Sequence, residues 1–397
     1  NCHWPHGWPD DDQPVDDYPR LWLEQYDVAA DGSDPDDAED LCYTCHDAAP
    51  ASSNVRADFL KGSNNLASSP NADVFHHPVD DTEQAAGRTV ECVDCHNPHK
   101  ATATDRHAGV SGVDLAGDPI AAGSRALQQY ELCFKCHGDT YNSTRPNTSN
   151  KRTDFNQDNS AYHPVVQVGR NQSGALNAQL SAAGLSTSST IRCTDCHNSN
   201  AFDSTSGKVT DSTSVTVGPH GSTNAPILRA NFNRSYTTTP NSWSDDNAAL
   251  CFRCHSDTML NRTGPSNFYD SNINDKDNLH WVHLTDKDTT ASCMTCHYDI
   301  HSNRSASNTQ YRIDGVLYAD NAAVTAARIK THMVNFAPDV TATGTRAKPE
   351  WWLNTSTRER RCYLACHGEE MRPGGSSGTK DSVYRPPAAG DETVWTY

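Results

Sequence analysis

The segment Cys92-Val-Asp-Cys95-His96 contains the pattern that decides how this chain folds. Two thiols three positions apart share one side of a single chain turn, and an imidazole follows directly. The order Cys-x-x-Cys-His is the attachment signature of c-type haem. In such a site the two thiols form thioethers with the two vinyl groups of one porphyrin, and the histidine binds the iron from the proximal side. The segment therefore predicts a covalent haem.

The same pattern recurs along the chain, which has 15 Cys and 19 His. A wider variant, Cys362/Cys366/His367, has three residues between its cysteines and can still span both vinyl groups. Disulfide staples and zinc sites also use paired cysteines, but neither requires a histidine directly after every second cysteine. The motifs with two intervening residues are Cys42/Cys45/His46, Cys92/Cys95/His96, Cys133/Cys136/His137, Cys193/Cys196/His197, Cys251/Cys254/His255 and Cys293/Cys296/His297.

One cysteine, Cys2, stands outside these pairs. The order Cys2-His3-Trp-Pro-His6 repeats the Cys-His-x-Pro-His order that runs from Cys95 to His99. We therefore interpret Cys2 and His3 as the second half of an eighth motif, whose first cysteine would precede Asn1. Attachment by a single thioether, a free thiol and an intermolecular disulfide are the alternatives. The cofactor prediction is eight haem c groups per chain, from seven full motifs and one truncated motif.

The composition agrees with an interior that side chains alone do not fill. The chain has 397 residues, of which 35% are hydrophobic, and its mean hydropathy is −0.75. Even with its 23 glycines counted, it falls below the apolar share of about 45–50% that is typical of globular proteins. Large apolar porphyrins would replace the missing side chains as the core.

The charge balance excludes several kinds of partner. There are 50 acidic and 32 basic residues, and the formal net charge is −18. Nucleic acids and anionic lipid surfaces reward clustered Lys and Arg, so we expect neither as a partner. No stretch approaches the roughly 20 consecutive apolar residues of a membrane helix, so we expect no membrane insertion. No signal peptide is recognisable, so we expect a mature chain or one whose start has been trimmed.

The motifs alternate between two types, and the alternation is an internal repeat of about 100 residues. In one type an aromatic residue follows the first cysteine, as at Phe134; in the other the lead-in residues are small or β-branched. We expect a mostly irregular chain with short helices and few strands, wrapped around a linear haem stack. The predicted organisation is one continuous module over 1–372, with repeats at about 1–91, 92–192, 193–292 and 293–372, and a Pro/Gly-rich tail over 373–397 that contacts a neighbouring subunit.

Eleven histidines remain as candidates for the distal position on each iron. His163 and His220 are the strongest, because each is the single spare histidine between two successive motifs. His77 is favoured over His76, since His77-Pro-Val is repeated at His163-Pro-Val, although adjacent histidines can serve two haems. The four methionines make Met ligation a minor alternative. The other candidates are His6, His99, His107, His280, His283, His301 and His332.

A helix is predicted over 322–336, capped by Asp320-Asn321. Ile329, His332 and Met333 share one face of such a helix by their three- and four-residue spacing. The helix would present His332 to a haem.

With these motifs the chain resembles multihaem c-type cytochromes of the paired Cys-x-x-Cys-His kind. It is similar to the octahaem and extracellular members of that class, including cytochromes that form haem nanowires. The resemblance implies electron transfer along closely stacked bis-histidine haems, with no catalytic residue. It also implies head-to-tail self-association, other redox cytochromes or extracellular electron acceptors as partners, and an extracellular or cell-surface location, with the periplasm as second choice.

The competing class is an octahaem oxidoreductase that acts on hydroxylamine, nitrite or tetrathionate. Such an enzyme keeps one iron open for its substrate, and the nitrite-reducing kind often has Lys in place of one motif histidine. The sequence contains no Cys-x-x-Cys-Lys, and its spare histidines outnumber the sites to be filled. These features favour an electron carrier.

Overall fold

The structure is a computed structural model, and every structural statement below concerns the residues that it describes. Cys2, His3, His6 and His367 lie outside them, as does the C-terminal tail except for Val383–Tyr384. The described residues are 42–43, 45–46, 51, 54–59, 75–77, 79, 90–139, 150–203, 208–210, 218–232, 245–268, 278–285, 291–304, 308–342, 346–356, 360–366, 369–371 and 383–384.

The helices are short, and polar side chains fix where several of them begin. Asn150 accepts a hydrogen bond from the backbone of Thr153, and Ser173 accepts one from Leu176. Such N-caps satisfy backbone donors that have no partner inside the helix. The α-helices are Val55–Phe59, Cys92–Cys95, Gln129–His137, Lys151–Asp154, Gly174–Ser181, Cys193–Cys196, Leu279–Thr285, Cys293–Cys296 and Asn321–Ala326, and the 3₁₀ helices are Asp245–Ala248, Cys251–Arg253 and Asp257–Leu260.

Six two- or three-residue strands form three small antiparallel pairs. β1 (Phe75–His76) pairs with β6 (Gly221–Ser222), and β2 (Gly112–Val113) pairs with β3 (Pro119–Ile120). β4 (Ala201–Asp203) pairs with β5 (Lys208–Thr210). These ladders are too short to form a layer, and each one only pairs two loop segments locally.

A larger sheet forms near the C-terminal end of the described chain. Its strands are β7 (Gln310–Ile313), β8 (Val316–Tyr318), β9 (Thr341–Ala342), β10 (Glu350–Leu353), β11 (Arg360–Cys366), β12 (Glu369–Met371) and β13 (Val383–Tyr384). They are ordered β12-β11-β10-β7-β8, and β9 and β13 also pair with β11. β10 is antiparallel to β11 and parallel to β7. The central strands therefore join segments that are distant in the sequence.

The main side-chain core packs on this sheet. Tyr311 and Trp351 are fully buried at its centre, and their rings meet edge to face with centroids 6.2 Å apart. Phe336 and Val324 close the cluster from the segment that follows β8. A smaller cluster surrounds Phe134. Elsewhere many of the buried side chains are Asn, Ser and Thr.

The described residues fall into two compact units. The first unit contains the described residues of 1–111, 121–127 and 197–229. The second unit contains those of 112–120, 128–196 and 230–397. In the part of the chain that the structure covers, no helix is both long and apolar enough to cross a membrane.

The predicted helix over 322–336 is wrong beyond Ala326. Asp320 caps it as expected, accepting a hydrogen bond from the backbone of Ala323. The helix then ends, and Arg328, His332 and Met333 adopt positive φ angles of 56°, 54° and 59°. These values are incompatible with a right-handed helix. The expected shared helical face of His332 and Met333 therefore does not form, and both lie in a looped segment.

Candidate haem-binding sites

Three motifs of the β-branched type form one-turn helices with a common cap. The residue before the second cysteine folds back and accepts a hydrogen bond from the backbone N–H of the residue before the first. The acceptor oxygens lie 3.2 Å from the amide nitrogen at Asp94, 2.7 Å at Asp195 and 3.0 Å at Thr295. The cap holds the turn that brings both cysteines to one side, as attachment to a single porphyrin requires.

In two motifs of the aromatic type the cysteines also lie on helical turns. Cys133 and Cys136 belong to Gln129–His137, whose N-terminus is capped by Glu131 Oε2, 2.8 Å from the Gln128 amide nitrogen. Phe134, between these cysteines, is 2% exposed. Cys251 begins a 3₁₀ turn. Both motif types therefore reach a helical turn by different local means.

In the motif that contains His46, two residues are exposed. The backbone is helical from Cys42 to His46 where it is described, so the local turn suits attachment, but Cys45 and His46 are both exposed to solvent. A porphyrin on Cys42 and Cys45 would itself have to cover His46, which stays a predicted proximal ligand.

The motif histidines His96, His197 and His297 are held in one tautomer by backbone carbonyls. Nδ1 of His96 lies 3.1 Å from the oxygen of Arg106, and Nδ1 of His197 lies 3.0 Å from that of Pro226. Nδ1 of His297 lies 3.0 Å from the oxygen of Met333. A carbonyl oxygen can only accept, so Nδ1 carries the proton and Nε2 keeps its lone pair. This is the arrangement in which a histidine binds a metal through Nε2.

Several spare histidines share this arrangement. Nδ1 of His77 donates to the oxygen of Pro219 at 2.9 Å, and Nδ1 of His163 donates to the oxygen of Ile300. The remaining examples are His76 with the His77 oxygen at 2.8 Å and His283 with the Leu279 oxygen at 2.7 Å. Proximal and distal candidates therefore share the tautomer in which Nδ1 carries the proton, and the sequence alone does not reveal this.

Two side chains near the imidazoles were missed by the sequence analysis. Gln179 Oε1 lies 3.4 Å from Nδ1 of His255, and Ser266 Oγ lies 3.0 Å from Nδ1 of His280. Neither residue is adjacent in sequence to its histidine, and no spacing signal identifies them. They are outer partners that orient a ligand rather than ligands themselves.

The first unit gathers one group of histidines. The ring centroid of His96 lies 5.6 Å from that of His107 and 6.3 Å from that of His220. With metal–imidazole bonds of about 2 Å, two imidazoles on one ion place their ring centres roughly 6 Å apart. Both His107 and His220 thus lie at a suitable distance from His96. In the same unit burial lowers the pKa of His77, and His197 is near enough to lower it further.

The second unit gathers a larger group. Burial lowers the pKa of His255 to about 4, and nearby His163 and His297 contribute. Burial likewise lowers the pKa of His280 to about 3, with His297 and His283 among its neighbours. An imidazole with such a low pKa is neutral at physiological pH and can bind a metal without first losing a proton.

Of the other distal candidates, His332 and His301 contact aromatic rings, and His99 is at the surface. The ring of His332 meets that of Trp351, with centroids 6.3 Å apart. His332 also lies near His297: burial lowers the pKa of His297, and charge repulsion from His163 and His332 lowers it further. His301 meets Phe155 edge to face at 5.5 Å, beside the cluster that contains Phe134. His99 is exposed.

The wider motif does not have the geometry of the others. Cys362 and Cys366 lie on the extended strand β11. Four residues along a strand span about 13 Å, whereas four residues along a helix rise about 6 Å. In this conformation the two cysteines do not fit a single porphyrin, and double attachment would require the segment to leave its strand conformation.

Bare metal ions are a separate question. No group of three or more His, Cys, Asp or Glu that could hold an ion occurs among the described residues. A porphyrin supplies four nitrogen ligands of its own, so haem iron requires only one or two imidazoles from the protein. The five helical motifs from Cys92 to His297 each have an imidazole that could supply one of them.

Comparison with protein-family models, with characterised proteins and with solved structures finds no match to this chain.

Proposed function

We propose that this chain is an extracellular multihaem c-type cytochrome that carries electrons along eight closely stacked bis-histidine haems. The observation that supports it best is the shared tautomer of His96, His197 and His297, whose Nδ1 atoms donate to backbone carbonyls. In each of these motifs the imidazole directly follows the second cysteine and has the tautomer in which Nε2 carries no proton, as iron ligation requires. A structural cysteine–histidine pair has no need of this arrangement.

Bound haem c would supply a reversible one-electron iron couple. The chain's own residues would fix each porphyrin through the cysteines and occupy both axial positions with imidazoles. Burial keeps those imidazoles neutral, as at His255 and His280. With both positions filled, small molecules would have no place to bind, which favours electron transfer over catalysis.

We further propose that the chain meets other redox cytochromes or extracellular electron acceptors, and that copies associate head to tail into a conductive filament. The aromatic residues Trp395 and Tyr397 in the tail are suited to anchoring on a neighbouring subunit. A heterologous contact of this kind propagates unless it closes a ring. Electron microscopy of the full chain should show filaments, and truncation after Gly368 should abolish them. Dispersed monomers for the full chain at high concentration would contradict this part.

The test of the central proposal is the spin state of the oxidised holoprotein. Every iron should be low-spin, and the reduced protein should not bind CO, because no axial position is open. A high-spin signal or CO binding in the native protein would instead favour the octahaem oxidoreductase. Absence of haem bands would contradict both.

A further inference from the structure

Contacts between motifs add information about which haems are neighbours. Cys193, the first cysteine of its motif, packs against the cluster of Phe134, Phe155 and Val165. Phe134 lies between the two cysteines of its own motif, so the two motifs touch at one edge of each.

A hydrogen-bonded clamp holds these two motifs together. Gln129 Oε1 accepts from the backbone nitrogen of Thr194 at 3.1 Å and from its hydroxyl at 3.0 Å. Gln129 is the first residue of the helix that carries Cys133, and Thr194 lies between Cys193 and Cys196. One amide oxygen therefore fixes the second motif to the helix of the first.

Each motif cysteine would be bonded to a vinyl group at a porphyrin edge, so two motifs in contact bring two porphyrin edges together. We propose that the haem on Cys133 and Cys136 and the haem on Cys193 and Cys196 are nearest neighbours and form a pair. Electrons pass directly between these two haems, and Gln129 is the positioning residue of the pair.

This inference rests on the proposed function, and the two fail differently. Without haem, dissolved oxygen can oxidise the thiols of these motifs to disulfides, so the intact mass of the sample is measured first. Disulfide-linked peptides without haem would contradict both proposals. Full haem loading with a different order of irons would contradict this inference alone.

The decisive experiment locates the irons in the holoprotein by crystallography or cryo-electron microscopy. The nearest iron to the one bound by His137 should be the one bound by His197. Any arrangement in which Cys133 and Cys193 carry haems that are not nearest neighbours overturns the proposal.

Variants test the clamp in solution. Gln129→Ala removes both hydrogen bonds to Thr194 and should weaken the magnetic coupling of one haem pair in the electron paramagnetic resonance spectrum, with the haem count unchanged. Gln129→Glu retains an acceptor oxygen and should restore the coupling. Gln172→Ala is the matched control, since Gln172 bonds the carbonyls of Gly169 and Thr187. Equal spectra for Gln129→Ala and Gln172→Ala would contradict a positioning role.

Discussion

The C-terminal sheet and the motif-bearing segments bury their residues in different ways. In the sheet, Tyr311, Trp351 and Leu353 pack against one another, and the buried carboxylate of Glu350 is paired with Arg312 at 2.9 Å. Around the motifs, the fully buried side chains include Asn200 and Asn278. The sheet has the larger core of apolar side chains, whereas the motif segments have the smaller cluster around Phe134 beside these buried polar side chains. The difference indicates where an additional apolar group is needed.

The largest effect should follow from withholding haem. Chain produced without haem attachment should lose protection from amide exchange over 90–139 and 278–304, because nothing then fills the space between motifs. The sheet amides of 310–313 and 350–353 should exchange more slowly than those segments. Hydrogen-exchange mass spectrometry of the two forms measures the contrast. Uniform protection, or a haem-free chain as protected as the holoprotein, would contradict the comparison.

Within the sheet, Trp351→Ala should be the most damaging single change. Removing a fully buried tryptophan costs about 3–5 kcal/mol of unfolding free energy. Trp352, its neighbour on β10, is partly exposed and gives the matched control, for which the expected loss is smaller. Denaturant unfolding followed by tryptophan fluorescence checks the ranking. Cys296 and Cys362 pack against this core and the His332 ring meets that of Trp351, so Trp351→Ala should also disturb haem binding at these residues. Haem content that falls on Trp352→Ala as much as on Trp351→Ala would contradict this ranking.

At the motifs, His220→Ala and His163→Ala should each open one iron while the sheet keeps its stability. The oxidised protein should gain one high-spin signal, and the reduced protein should bind one CO. His99→Ala is the control on an exposed candidate, and its effect should be weaker. An unchanged spectrum in both His220→Ala and His163→Ala would remove these residues from the ligand set.

A smaller effect is expected at Gly218, which packs against the His220 ring. Its φ is +143°, and a Cβ there would lie 2.6 Å from Cε1 of His220. Gly218→Ala should therefore displace the imidazole and raise the high-spin fraction. Gly184 also has a positive φ, +71°, but a Cβ there would meet no atom within 4 Å. Gly184→Ala therefore tests backbone strain alone. It should cost about 1 kcal/mol of unfolding free energy without changing the spectrum. Equal spectral changes in the two variants would rule out displacement of His220.

The smallest effect should come from the motif cap. Asp94→Ala removes the acceptor of the Glu91 amide and should cost about 1 kcal/mol. Asp94→Asn keeps an acceptor oxygen and should cost less. Thermal unfolding of the holoprotein measures both, and an equal loss in the two variants would show that the charge rather than the hydrogen bond matters.

The motifs are visible in the sequence, but their surroundings are not. The spacing of Cys92, Cys95 and His96 predicts a haem site from local order alone, and the structure places both cysteines on one helical turn. The same spacing at His46 does not reveal that this imidazole is exposed, because burial depends on chain segments far from the motif. The carbonyls that orient the other imidazoles come from residues such as Met333, 36 positions from His297, and no local pattern reveals them.

The regular elements near the C-terminal end were predicted least well. The helix predicted over 322–336 ends early because two buried positions of its second half are the polar residues Thr331 and Asn335. Hydrogen bonds to their side chains hold this segment as a loop. The larger sheet was also not foreseen, since its ladders join distant segments. Both failures have one physical cause: the deciding contacts are long-range, and periodicity reports only local ones.

The measurement that tests the central claim most directly is the intact mass of the mature protein under denaturing conditions, combined with a pyridine haemochrome titration. The account predicts eight covalent haem additions, with peptides containing Cys92/Cys95, Cys193/Cys196 and Cys293/Cys296 each carrying one. Seven additions with Cys2 unmodified would remove the truncated motif, and seven with Cys362 and Cys366 unmodified would mean that β11 keeps its strand conformation. Recovery of the six Cys-x-x-Cys-His motifs as free thiols or disulfides, without haem, would contradict the account.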